Sequence, residues 1–582
     1  MRRFRALVAR LREHPRAWRS ALVVTVLAVL HGRMLLGHVR TSLDAFRFND
    51  DVRVLIHPQF RWEDARLFPH DPAVDYFLAS LPEGYRLVYR ALGPFVGVAT
   101  LSKALPYVLL AVVLLCLARI AGRLSGAPAV LGALSLALGS AYVLGRMVGG
   151  LPRAFALPFL AAGALALVEG RARTLALVTV LAAGFYPAAG LTLGAALALL
   201  FCLPARDRGS AATWSVKTRG GWLVLTAVLA ALVVLPTAWR LRPWGPAIGP
   251  ELVGAYPEAG PGGRFDPVDR APFPALPRAA VQPLEAALVG DGNAPIHALS
   301  LRRVGGWVAT SFVIFGLCGW AVLARRRSDA RRMLLLPAAL ALCHTAAWLV
   351  TPRLFLPERY VAYAVPLVAL LAAPTALGAL RGSARSDGER DGQRGDATLR
   401  AGARRWLRFV PLVYNLVLLV TLGATGVPWT GLTVNVPPAE RPLYAKLAAL
   451  PPNTMIAAMP SETVDSIPYL ARRSAFVTRE THMPFHAAYA DLMRRRTRAL
   501  VSAYFSPSVD ELARFSRQWG VTHVLFDRRH ASERPTYFAP FDADIAQAFD
   551  AGKAEGFAPL KLPPSATVFE LGPYVLLDVT RL

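Results

Sequence analysis

The stretch Phe48-Asn49-Asp50-Asp51-Val52-Arg53 decides how this chain is read. Its two adjacent carboxylates follow the first apolar run, Ala21–Gly37, which is itself preceded by Arg2, Arg3, Arg5, Arg10, Arg12, Arg16 and Arg19. Arginines stay on the cytoplasmic side of a membrane segment, so a first span at Ala21–Gly37 keeps Met1–Arg19 inside and delivers the acidic pair to the outer face. No small-x-small cleavage site follows the run, so it is expected to remain as an anchor. His31 and Arg33, near its outer end, read as side chains snorkelling to the interface, ahead of a pore-facing role.

Composition agrees with a membrane protein. Of 582 residues, 54% are hydrophobic and only 18% charged, against about 25% charged in soluble globular chains. The net charge of +27 comes mostly from arginine. A basic balance of this size can signal nucleic-acid binding, but here the arginines cluster between apolar runs, where positive-inside topology accounts for them. The four cysteines, Cys116, Cys202, Cys318 and Cys343, lie inside apolar runs without CxxC spacing and read as small buried side chains.

Outward from the acidic stretch, a first outer loop covers residues 38–100. It carries Asp44, Asp50, Asp51, Glu63, Asp64, Asp71, Asp75 and Glu83, and its end, Tyr85–Val98, has the pattern of an amphipathic helix lying on the membrane. Further spans are expected at Thr100–Ala118, Ala127–Leu144, Ala154–Val168, Thr174–Phe185, Ala188–Leu203, Trp222–Trp239, Gly305–Leu323, Met333–Val350, Tyr360–Leu380 and Phe409–Val427. The fourth and fifth are short for a hydrocarbon core of ~30 Å, which implies tilt, breakage or extension into the loops. Tyr186-Pro187 marks a turn. A second outer loop, 240–304, is rich in Pro and Gly, a composition that favours irregular structure. With about eleven spans, every arginine-rich connection, Arg325–Arg332 and Arg381–Arg408 among them, falls inside, and the loop of Asp50 falls outside.

The pattern changes near residue 436. A strand is expected at Thr454–Met459, a helix at Phe485–Phe505 with Arg494, Arg495, Arg496 and Arg498 on a solvated face, and a helix at Ser508–Trp519 with Ser508 and Glu511 in capping-box spacing. A strand at Val521–Asp527 and a hairpin around Gly572-Pro573 follow. The fold class is therefore a polytopic α-helical membrane domain, 1–435, with a small extracytoplasmic α/β domain, 436–582.

Three groups of residues have chemical potential. Asp50 and Asp51 are read either as a solvated turn or as a site, where a partly buried carboxylate serves as general base or divalent-cation ligand. Arg353 and Arg359, in Thr351-Pro352-Arg353-Leu354-Phe355-Leu356-Pro357-Glu358-Arg359-Tyr360, lie on the side where topology disfavours arginine. Arg146 and Arg153 flank Gly149-Gly150-Leu151-Pro152 on the same side, next to glycines that permit close backbone approach. Arginine can clamp a phosphate through parallel hydrogen bonds; the simpler readings are headgroup contacts and tight turns. His482 and His486 have helical spacing but no HExxH context, and Pro484 lies between them. No metal ligand set is assigned.

The layout of a retained first span, an acidic motif in the first outer loop, about a dozen spans and a C-terminal extracytoplasmic domain resembles the GT-C class of integral membrane glycosyltransferases. Phe48–Arg53, Leu67-Phe68-Pro69-His70-Asp71, Gly150-Leu151-Pro152-Arg153-Ala154-Phe155 and Leu356–Tyr360 are also similar to motifs of bacterial membrane proteins with this layout. The resemblance implies a polyprenyl-phosphate-linked sugar as donor and membrane lipids as surroundings, with no nucleic acid. It implies inverting transfer at the outer face of the inner membrane, with Asp50 or Asp51 as base. Arg359, Arg153, Arg353 and Arg146 are the phosphate or lipid candidates. It names no cofactor; a divalent cation is compatible with the acidic pair. The competing reading is a transporter, flippase or assembly factor for lipid-linked envelope saccharides, which would bind the same phosphate without forming a bond.

Overall fold

The computed structural model describes residues 15–139, 141–264, 430–582 and most of 320–375. The expected eleventh span, nearly all of the eighth, Arg353 and the linker 381–408 lie outside those residues. Among the described residues, four helical segments are long and apolar enough to cross a membrane: Val98–Ser125, Pro152–Glu169, Val216–Trp244 and Ser328–Leu349. Four shorter apolar helices accompany them.

Local chemistry sets the helix ends. Val98–Ser125 begins after Gly97 and stops at Gly126, both at positive φ (88° and 83°), so glycine ends the helix on both sides, beyond the expected Thr100–Ala118. The expected third span is broken into Ala127–Gly139 and Ala141–Gly145. The fourth is lengthened at its front by a 3-10 turn, Pro152–Phe155, which joins Ala156–Glu169. Gly170, in the left-handed region, lets the chain double back into Ala172–Phe185. Arg332 donates to the carbonyls of Leu167 and Val168 at 2.7 Å each and so satisfies the orphan acceptors of that helix end. Pro187–Cys202 follows at Tyr186, as the Tyr186-Pro187 turn implies.

Val216–Leu241 packs on Ala172–Phe185 with one side and leaves Val224, Leu229, Leu232 and Leu235 exposed, as suits a helix facing lipid. The first helix runs Pro15–Leu43, beyond the expected Gly37. His31 is buried while Arg33 is exposed, so the histidine turns into the protein instead of snorkelling.

The first loop folds into helices Val52–Leu55, Pro72–Ser80 and Glu83–Val96. The last of these is the expected amphipathic one, with Tyr85, Tyr89 and Gly93 inward and Leu87 and Phe95 exposed. Strand β1, Arg47–Phe48, pairs antiparallel with β2, Val434–Asn435.

The C-terminal region holds β3 (Met455–Ala457), β4 (Ser474–Ala475), β5 (His523–Asp527), β6 (Thr567–Leu571) and β7 (Tyr574–Asp578), in spatial order β4-β3-β5-β7-β6. β3 is parallel to β4 and β5, whereas β7 is antiparallel to β5 and β6. Helices Ala487–Phe505, Val509–Trp519 and Phe541–Lys553 accompany the sheet. Ser508 caps its helix by accepting from the Glu511 N–H, and Gly520 ends it in the left-handed region. The arginines expected on a solvated face divide. Arg495 and Arg498 are exposed, but Arg496 is buried with Nε donating to the Phe476 carbonyl, and Arg494 grips the buried carboxylate of Glu258 at 2.9 and 2.7 Å. The reason is neighbouring chain: the second loop, which hydrogen-bonds Phe485 and Ala487 through 246–248, meets Arg494, and Arg496 lies over the Phe476 ring with Asp71 of the first loop nearby.

Candidate active site around the acidic turn

The site is built where the first and last parts of the described chain meet. β1 delivers the chain to Asn49, and the turn closes through Val52 N–H to Asn49 O (3.2 Å) and Arg53 N–H to Asp50 O (3.0 Å) before helix Val52–Leu55 begins. Asn49 is buried and donates through Nδ2 to the Gly431 carbonyl at 3.0 Å. The turn is thus sewn to the segment that leads into β2.

The two carboxylates diverge. The Asp50 N–H donates to Thr433 Oγ1 at 2.9 Å, and the Thr433 hydroxyl donates to Asp50 Oδ1 at 3.1 Å. Asp50 is half-exposed, and among the described residues this threonine is the side chain that bonds its carboxylate. Asp51 instead forms an ion pair with Arg153, and its N–H donates to Asn49 Oδ1 at 3.2 Å. The same Asn49 oxygen accepts from Arg153 Nη2 at 2.9 Å. One carboxylate is therefore committed to an arginine, and the other stays open toward solvent.

Arg153 is brought to the turn by the glycine pair before it. Gly149 and Gly150 both have positive φ (88° and 58°). A Cβ on Gly150 would lie 2.7 Å from Tyr89 Oη and 2.9 Å from the Ser102 carbonyl, and Tyr89 Oη donates to the Gly150 carbonyl at 2.9 Å. The close approach these glycines allow is to the protein's own first loop. Arg153 keeps Nε buried without a hydrogen-bond partner, an exception among buried polar atoms that calls for an acceptor. Within its electrostatic reach lie Tyr363, Arg359, Asp50 and Tyr186. Tyr186 and Tyr363 meet edge to face at 5.5 Å. The structure thus gathers Asp50, Asp51, Arg153 and Arg359, together with two tyrosines. Arg146 occupies the turn at 146–149, and Arg353 lies outside the described residues.

Two arginines and two carboxylates in one cluster balance in charge. Two guanidinium groups in one cluster, Arg153 with a spare Nε–H, suit a planar or tetrahedral oxyanion such as phosphate, and the half-exposed carboxylate beside them suits proton acceptance. A cavity of about 20 Å³ lies behind the turn, between Asn49, Gly149, His38, Ser42, Lys103 and Tyr107. That is room for about one water, not for a substrate.

Sequence reasoning missed Asn49 as a hub, Thr433, Tyr186 and Tyr363. Asn49 stood inside the acidic stretch and Tyr186 in a recognised turn, but Thr433 carried no signal of its own. Among the described residues no three His, Cys, Asp or Glu side chains gather as a metal site. His482 and His486 part company: burial pushes His482 down to about 3, leaving its ring neutral, while His486 Nδ1 bonds Tyr76 Oη at 2.9 Å.

Arg53 points the other way, into the C-terminal region, and is buried. Its Nη1 donates to Glu462 at 2.7 Å and its Nη2 to Glu480 at 3.1 Å. Burial pulls its pKa down, yet the nearby Asp465, Glu480 and Glu462 carboxylates hold it above the usual value, so the cation is firmly kept.

No protein-family model matches the chain, and no curated protein matches its sequence. Solved structures do. The oligosaccharyltransferase of Archaeoglobus fulgidus, tethered with an acceptor peptide containing the NVT sequon, superposes with a TM-score of 0.50 at 12% identity, covering 94% of this chain and 72% of that one. ArnT from Cupriavidus metallidurans, bound to undecaprenyl phosphate, gives a TM-score of 0.49 at 14% identity over 97% of this chain and 98% of its own. At such identity the likeness to the oligosaccharyltransferase is one of architecture, and it extends over nearly the whole chain: the protein shares the fold of that structure.

Proposed function

We propose that this protein is an inverting glycosyltransferase that moves a sugar from a polyprenyl-phosphate donor to an acceptor at the outer face of a bacterial inner membrane. Its N-terminus is cytoplasmic in this reading, and its C-terminal region, 436–582, is extracytoplasmic. One observation carries the proposal. A half-exposed carboxylate, Asp50, shares a cluster with Arg153, whose Nε is buried without an acceptor, and with Arg359. The shared GT-C architecture supports the reaction class. The arginine-rich connections support the orientation.

In this reading Asp50 accepts the proton of an acceptor hydroxyl as that oxygen attacks the anomeric carbon. The bond from that carbon to the phosphate oxygen breaks on the opposite side, and its electron pair leaves on the lipid phosphate. Arg153 and Arg359 face the charge that grows there, and fixed cations aimed at developing charge lower the barrier. Asp51 and Asn49 hold Arg153 in place. Arg146 and Arg353 remain candidates for the same lipid phosphate. No metal is assigned; the role of a divalent cation is settled by adding chelator to the assay below.

The test uses the full chain in lipid nanodiscs with radiolabelled undecaprenyl-phosphate monosaccharides and an envelope-lipid extract as acceptor pool. Release of undecaprenyl phosphate that depends on the protein, together with label in a new product of inverted configuration, is expected. If labelled donor crosses a vesicle bilayer intact while no sugar is released, the protein is a transporter and the proposal fails.

A further inference from the structure

Arg53 stands three residues after the proposed base and spends all three side-chain nitrogens on fixing something. Nε donates to the Asp50 backbone carbonyl at 3.3 Å, Nη1 to Glu462 at 2.7 Å and Nη2 to Glu480 at 3.1 Å. The backbone N–H of Arg53 closes the same turn on the same Asp50 oxygen at 3.0 Å. The guanidinium is only 2% exposed, whereas Glu462 is 80% exposed, so the buried anchor is Glu480, at 12%. Glu480 in turn accepts from Arg264 of the second loop at 3.0 Å. A buried charged pair is a weak source of stability, because desolvation offsets most of the attraction. What this one provides is geometry: a rigid planar fork with one prong on the Asp50 carbonyl and two in the C-terminal region.

We propose that Arg53 is a positioning residue through which Glu480 of the C-terminal region sets the orientation of Asp50 in the transfer reaction. The opposite side of the turn is held by Thr433 and Asn49. The Asp50 backbone is thus fixed by Arg53, which is anchored in the C-terminal region, while Thr433 holds its carboxylate from the segment entering β2, and a loosened backbone misplaces a base without touching the donor's phosphate. The inference rests on the reading of Asp50 as base, and the experiment separates the two.

Arg53→Lys keeps the charge but removes the fork, and Glu480→Gln keeps an acceptor but removes the charge. Displacement of a catalytic group by about 1 Å can cost on the order of a hundredfold, so we expect kcat for sugar transfer to fall roughly ten- to a hundredfold in Arg53→Lys. The KM for donor and the Kd for undecaprenyl phosphate, read by tryptophan quenching, should stay at wild-type values. Glu480→Gln should lower kcat by less, and the double variant should be no worse than Arg53→Lys alone, since both act on one linkage. Wild-type kcat in Arg53→Lys overturns the proposal, and so does a raised KM with kcat unchanged. If Arg53→Lys does not fold, Glu480→Gln decides on the same criteria. Asp50→Asn is run beside them. Its full activity would remove the base reading and this inference with it, whereas its inactivity alongside a normal Arg53→Lys removes only the inference.

Discussion

At the scale of single residues, the two aspartates make different predictions although they are neighbours. Asp50 bonds one threonine hydroxyl and is half-exposed, whereas Asp51 is paired with Arg153. Asp50→Asn should therefore abolish transfer while leaving undecaprenyl phosphate binding intact. Asp51→Asn should weaken that binding, because it releases Arg153 from its seat; equal defects in both variants would contradict this division. A third carboxyl gives a pH prediction. Burial pushes Asp465 up from its ordinary 3.8 to about 7, against the opposing pull of Arg53. The folded state thus keeps a proton that the unfolded chain has lost, so this group's contribution to stability is fully present below about pH 4 and is lost as pH rises to about 7. Asp465→Asn keeps an oxygen for the Arg479 N–H, which now lies at 2.7 Å. The variant's melting temperature should match wild type near pH 4 and exceed it at pH 8; parallel melting curves across that range would refute the assignment. The acidic pair itself was legible in the sequence, because carboxylates after a first span are conspicuous. Its division of labour was not, since the partner that separates the pair, Thr433, lies 383 residues from Asp50.

At the scale of elements, the apolar helices and their turns were readable from runs of hydrophobic residues and from Gly and Pro punctuation. Strands β3, β5, β6 and β7 and the Ser508 cap were readable from short apolar runs, turn residues and capping chemistry, whereas β4, Ser474–Ala475, was not. The β1–β2 pair was not, because each strand has two residues and neither has a pattern of its own. The glycines at 149 and 150 fit either a tight turn or a close approach to a ligand, and the structure packs Gly149 against Val52 and Asn49 and Gly150 against Tyr89 and Ser102. That packing has a consequence. Gly150 sits at φ 58° with the Tyr89 hydroxyl and the Ser102 carbonyl where a Cβ would go. Gly150→Ala should cost about 1–3 kcal/mol from backbone strain alone, with more from the overlap. Because Arg153 follows three residues later, in the 3-10 turn Pro152–Phe155, the variant should also lose affinity for undecaprenyl phosphate. A wild-type melting temperature in detergent for Gly150→Ala would show that the turn relaxes without cost.

At the scale of the whole molecule, the C-terminal region and the first loop share one core. Val54, Tyr76 and Phe77 of the loop pack in the same cluster as Tyr489, Phe505 and Phe526. Tyr76 stacks on Tyr489 with ring centres 3.8 Å apart and planes within 8°. Charges cross the same boundary: Arg53 reaches Glu480, and buried Asp71, the cap of helix Pro72–Ser80, lies in the field of Arg496. A boundary drawn near residue 436 from composition therefore marks where the apolar runs stop, not where packing stops. Truncation after residue 435 tests this. The shortened chain keeps β2 and with it the Thr433 contact to Asp50, but it strips the cover from Tyr76 and leaves Arg53 without Glu462 and Glu480. Removing one side of a buried ion pair costs about 3–5 kcal/mol, and the exposed aromatic face adds to that. The truncated protein should insert in the membrane yet show rapid protease cleavage within 44–97 and no sugar transfer. Protection of that loop at the wild-type level, with transfer intact, would mean that the membrane domain holds the acidic turn alone and that the shared core serves only the C-terminal region.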